Sequence, residues 1–181
     1  MPRDILTKGL ADLAKKHLPE TAKLKYASGG AVIFEDIDDY TRYFFIGKTT
    51  TNMTGEYYLI TILVHEPKAE LQVDGRANIL VRRGFLGLGR KIIIDGEGRL
   101  VEITRKLYDE GRLGELYSSG YEAIVIRMGI KSPYLEAGDK SIVLIGRSTI
   151  FYSFNPSKQL GKLIRIGRKL FLEVLREVYR G

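Results

Sequence analysis

Apolar positions recur at helical spacing near the start of the chain. Leu6, Leu10, Leu13 and Ala14 share one face and Pro19 stops the pattern, which predicts a helix over residues 4–17. The period then changes. Segments rich in β-branched and aromatic residues follow at about Ala22–Tyr26, Ala31–Ile37, Tyr40–Thr49 and Glu56–His65. Turn signals separate them at Ser28-Gly29-Gly30, Asp38-Asp39 and Asn52-Met53-Thr54-Gly55. Further strands are expected at Ala69–Val73, Ala77–Arg83 and Arg90–Ile94. Most of these connections are too short for a crossover helix, so antiparallel pairing is expected.

Leu100, Ile103 and Leu107 restore the helical period over Arg99–Tyr108, with Gly111 as a stop and a further turn at Leu113–Tyr117. Strands near Tyr121–Met128 and Ser141–Gly146 and an extended piece at Thr149–Phe154 come next. Asn155 then suits an N-cap and Pro156 a first helical position. At about 100° per residue, Leu160, Leu163, Ile164, Leu170, Phe171, Val174, Leu175 and Val178 lie on one face of the helix that follows. Gly167 lies on that face too, where a small residue lets a helix approach a sheet closely.

These elements predict an α+β fold: a mainly antiparallel, twisted sheet packed against amphipathic helices, including an N-terminal and a long C-terminal one. A length of 181 residues, without repeat or linker, suits a single globular domain over 1–181.

Composition narrows the class. The longest apolar run, Tyr57 to Val64, falls far short of the ~20 residues of a membrane-crossing helix. The first residues carry charges every few positions rather than the apolar core of a secretion signal, so a cytoplasmic protein is expected. The absence of Cys excludes disulfides, thiolate metal sites and cysteine nucleophiles. Asn occurs only at 52, 78 and 155 and Gln only at 72 and 159, while charged residues make up 28%, a pattern expected of a thermophile.

Charge singles out the two ends. The net charge is +7, of which residues 155–181 hold +5 and residues 1–18 hold +2, leaving 19–154 neutral. On the last helix, Lys158, Lys162, Arg165, Lys169, Arg176 and Arg180 fall within an arc of about 60°, opposite the apolar face. Such a stripe can track a phosphate backbone or lie on an anionic membrane. It is equally what a helix packed on a core shows to water, and Glu173 and Glu177 stand at i,i+3 spacing from Arg176 and Arg180.

A second candidate is the Gly84–Gly89 loop, in which Phe85, Leu86 and Leu88 are flanked by Arg82, Arg83, Arg90 and Lys91. Apolar side chains rimmed by cations suit a membrane-dipping or partner-gripping loop, or a hairpin folded back on the core. No phosphate-binding glycine pattern can be written across it. Gly47-Lys48-Thr49 is not a Walker loop either, because Arg42 stands where its first glycine belongs. The carboxylates of Glu35, Asp36, Asp38 and Asp39 could hold a hard cation only if distant acids such as Asp95 or Glu97 joined them. His65-Glu66 begins like a zinc-protease motif, but Ala69 replaces its second histidine.

No catalytic, metal or cofactor motif emerges from these residues. The expected function is a non-catalytic binding module whose basic helix meets an anionic partner, nucleic acid first. Two alternatives stand beside it: a peripheral membrane or assembly module using the Gly84–Gly89 loop, and a small carboxylate-dependent enzyme. The loop or an exposed edge strand could also mediate a protein contact or a homo-oligomer.

Overall fold

The change of period along the chain becomes one eight-stranded sheet with helices on one face. A computed structural model describes residues 2–50, 57–83, 89–132, 134–135, 137–149 and 156–181. The strands are β1 (Lys23–Ser28), β2 (Ala31–Glu35), β3 (Tyr43–Thr50), β4 (Tyr57–His65), β5 (Arg76–Arg83), β6 (Arg90–Glu97), β7 (Tyr121–Met128) and β8 (Ile142–Thr149). They stand in the order β1-β2-β3-β4-β8-β7-β5-β6, and every neighbouring pair is antiparallel. The fold is α+β.

Three helices complete it: α1 (Pro2–Lys15), α2 (Gly98–Asp109) and α3 (Pro156–Arg180). A short 3-10 turn, Gly114–Ser118, follows α2. Helix α1 packs on β1 and β2, α2 on β5 and β6, and α3 on β4 and β8, with α3 touching both other helices. All eight apolar positions that define the inner face of α3 are buried, from Leu160 to Val178. Each such side chain contributes about 1.5–3 kcal/mol by leaving water. Hydrophobic burial therefore seats α3, and its cations face outward as a consequence. No helix among the described residues is long and apolar enough to cross a membrane.

The opposite face of the sheet is partly covered by the chain between β7 and β8. Leu135 packs there against Ile33, Tyr43, Val64 and Val143.

Gly167 meets the sheet as its place on the apolar face suggests. The Tyr121 hydroxyl donates to the Leu163 carbonyl oxygen at 3.0 Å and lies 3.1 Å from the Thr61 hydroxyl. Burial pushes that phenol up to about 12.

The structure overturns one expected strand. Residues 66–75, which include Ala69–Val73, have no ladder partner. Leu71 and Val73 do turn toward the main core, so their alternation is real, but α2 rather than another strand holds the segment. The Arg99 N–H donates to Asp74 Oδ1 at 2.8 Å and the Leu100 N–H to the Asp74 carbonyl oxygen at 3.1 Å. Asp74 thus caps a helix whose own N-cap, Glu97, offers no side-chain bond. The close approach uses Gly75 and Gly98 (φ +86° and +71°), since a Cβ on Gly98 would lie 2.7 Å from the Gly75 Cα.

The strand expected from Tyr40 begins instead at Tyr43. Asp38 Oδ1 accepts the N–H groups of Tyr40 (3.0 Å) and Thr41 (2.8 Å), closing a turn that delays it. The expected N-cap Asn155, most of the extended piece Thr149–Phe154 and the loop residues Gly84, Phe85, Leu86, Gly87 and Leu88 lie outside the described residues.

Candidate functional site

Rigid seating of α3 fixes where its charged residues stand. Lys158, Arg165, Lys169, Arg176 and Arg180 are exposed, and Lys162 is half-buried. The structure adds acids to this stripe that lie far away in sequence. Arg165 Nη1 donates to Glu115 Oε1 at 2.9 Å and Lys169 Nζ to Glu115 Oε2 at 2.5 Å. Glu115 stands on the 3-10 turn, and the Lys169 ammonium and Arg165 guanidinium hold its carboxyl below the ordinary range.

The last turns of α3 are more fully neutralised. Arg176 and Arg180 pair with Glu173 and Glu177, three residues back, at 3.4 and 2.9 Å. Glu177 is buried, and Lys106 (2.6 Å) and Arg112 (3.2 Å) also donate to it. The Lys106 ammonium, with Arg112 and against the cost of burial, holds the Glu177 carboxyl down to about 2. Arg112 also pairs with Glu173. This part of the stripe ties α3 to the end of α2.

A groove of about 490 Å³ runs along α3 beside the end of α1. Arg165, Arg168, Lys169 and Arg176 line it, and Glu173 is the one acid among the described residues that do so. His17 and Gly161 meet at one end, where a Cβ on Gly161 would lie 2.5 Å from the His17 ring. Arg168, outside the narrow stripe, anchors the groove from within: its Nη2 donates to Asp38 Oδ2 at 2.9 Å. Burial alone would raise the Asp38 carboxyl, but Arg168 and the Thr41 and Tyr40 amides bring it below its ordinary value. The Arg168 Nε is buried without a hydrogen-bond partner among the described residues. Four cations in one concavity, two of them sharing a single carboxylate, can bind an oxyanion.

The other candidates are not brought together. Glu35 pairs with Lys25 (3.6 Å), Asp36 with Lys23 (2.9 Å) and Asp38 with Arg168. Asp95 and Glu97 lie on β6, at the far side of the sheet from β2. Among the described residues no three His, Cys, Asp or Glu side chains stand close enough to hold a metal. Beside the Gly84–Gly89 loop, Arg82, Arg90 and Lys91 are exposed, and Arg90 donates to the Tyr117 carbonyl oxygen.

His65, whose zinc-protease motif is broken at Ala69, has a different place in the fold. It is buried between the 36–42 turn and α3. Its Nδ1 lies 2.5 Å from the Tyr40 carbonyl oxygen, which can only accept, so the neutral ring carries its proton there. Nε2 then accepts from the Tyr179 hydroxyl at 2.6 Å. Burial keeps the imidazole below its ordinary value and hence neutral. No local signal marks this pair, because 114 residues separate its members.

No protein-family model, curated protein or solved structure matches the chain.

Proposed function

We propose that this protein is an intracellular, non-catalytic binding module that grips a nucleic acid through its phosphates, along the outer face of α3. The groove carries the reading: Arg165, Arg168, Lys169 and Arg176 line one concavity in which Glu173 is the one acid among the described lining residues. A phosphate backbone presents regularly spaced anions to such a row, and each contact releases counterions. The neutral body of the chain, residues 19–154, leaves the net positive charge at the two ends, whose helices border the groove.

The contact surface in this reading is shorter than the whole stripe. Arg165 and Lys169, with Arg168 behind them, line the groove and carry the interaction, whereas Arg180 lies outside it, on buried Glu177. A cluster this small suits a short single-stranded segment, where positive grooves track the backbone with little sequence preference.

The test is fluorescence anisotropy with a labelled single-stranded DNA of about 20 nucleotides, at salt rising from about 50 mM. Affinity should fall linearly on a log–log plot, with a slope of about −0.7 for each phosphate engaged. Arg165→Glu with Lys169→Glu should abolish the shift. No binding at the lowest salt with Glu115 either intact or neutralised, or binding that the double reversal leaves intact, would remove the proposal. Co-sedimentation with anionic vesicles in place of DNA binding would replace it with the membrane reading.

A thermophilic origin belongs to the same proposal. It requires a melting temperature well above the ~65 °C upper end of ordinary mesophile domains.

A further inference from the structure

We infer that Glu115 occupies the seat of a ligand phosphate, so that its carboxylate is a built-in competitor at the anion site. The inference rests on the nucleic-acid reading and adds a regulatory contact to it.

The geometry of the bridge points to this. Arg165 and Lys169 are one helical turn apart, and each binds a different oxygen of the same carboxylate. A phosphodiester offers two non-bridging oxygens in the same bridging arrangement and carries the same single negative charge. The exchange of Glu115 for a phosphodiester is therefore nearly neutral in charge. It turns on which anion the two cations hold more tightly.

Glu115 is placed to leave. Its side chain is 39% exposed, whereas Leu116 beside it is buried and pins the 3-10 turn. Rotation about its side-chain bonds swings the carboxylate into water without moving the backbone. Arg168 lines the adjoining groove, and its Nε is buried without a hydrogen-bond partner among the described residues. Salt bridges at this exposure are individually weak, so a polyanion making several contacts at once can displace one carboxylate.

The experiment compares Glu115→Gln with Glu70→Gln by the same DNA anisotropy assay. Glu70 is an exposed acid paired with Lys140 (3.0 Å), so its replacement makes the same change in net charge without removing a partner of Arg165 or Lys169. Glu115→Gln should tighten binding about three- to tenfold and steepen the salt slope by about 0.7–1.4, as one or two cations become available. Glu70→Gln should change affinity less than about twofold, because exposed charges beyond a Debye length are screened. Glu115→Asp, too short to reach both cations, should fall between. Unchanged melting temperatures would verify that each variant is folded.

Equal effects of Glu115→Gln and Glu70→Gln overturn the competitor role while leaving DNA binding in place. Tightening on anionic vesicles but not on DNA overturns the nucleic-acid source. If neither the protein nor Glu115→Gln binds DNA, both proposals fall. Binding by Glu115→Gln alone supports a site that Glu115 holds shut.

Discussion

A Cβ on residue 167 would stand 2.4 Å from the hydroxyl oxygen of Tyr121, so Gly167 and Tyr121 share one space where α3 crosses the sheet. That hydroxyl is held by the Leu163 carbonyl and Thr61 and cannot simply swing aside. The helix gives up about 1 kcal/mol of propensity at this position relative to alanine. It gains close contact with β7 and β8 in return.

Gly167→Ala should therefore destabilise the protein by about 1–3 kcal/mol in urea unfolding, despite its better helix propensity. Adding Tyr121→Phe removes the clashing oxygen and should recover much of the loss. A double variant whose loss equals the sum of the two single losses would show that these residues do not compete for space.

Burial of His65, where it accepts a bond from Tyr179, makes stability depend on pH. The native ring is neutral and its pKa lies below the ordinary 6.5, whereas the unfolded chain takes up a proton near that value. Stability is therefore complete above about 6.5 and falls as pH drops toward the native value. Tyr179→Phe removes a bond that only the neutral ring can accept. It should cost about 1 kcal/mol at neutral pH and flatten the loss that sets in below about pH 6.5. A titration of the His65 ring signals should show its value rising in the variant; an unchanged value would contradict the assigned tautomer.

Glu177 acts at lower pH with the same direction of change. Its carboxyl lies at about 2 in the fold against an ordinary value of 4.5, so its contribution is present above 4.5 and disappears as pH falls through about 2. Glu177→Gln should lower stability at neutral pH, leaving Lys106 and Arg112 without their buried partner, and should flatten the acid limb of the profile. A wild-type acid limb retained in the variant would assign it to other carboxylates.

Asp74 caps α2 from a distance. Asp74→Ala should cost about 0.5–2 kcal/mol, and Asp74→Asn, which keeps an acceptor oxygen, much less. Negligible losses from both would mean that the backbone carbonyl of Asp74 does most of the capping.

These relationships differ in how legible they were. The buried face of α3 and the closeness implied by Gly167 follow from a period of 3.6 residues, and the helix packs as that period predicts. β7 occupies the expected span, because alternation and turn residues are local signals. The segment 69–73 alternates just as a strand would, yet its partner is the end of a helix. Alternation reports which side chains are buried, and says nothing of what the backbone binds.

The charged face shows the same division. The sequence by itself determined that α3 is amphipathic and that residues 155–181 hold most of the net positive charge. Only the tertiary structure decided which cations already hold an acid. Glu115 reaches Arg165 across 50 residues, Asp38 reaches Arg168 across 130, and Lys106 reaches Glu177 across 71. The physical reason is range. Helical and strand periods arise between residues a few positions apart, whereas the pairing of charges depends on distances set when β8 inserts between β4 and β7 and carries α3 across the sheet.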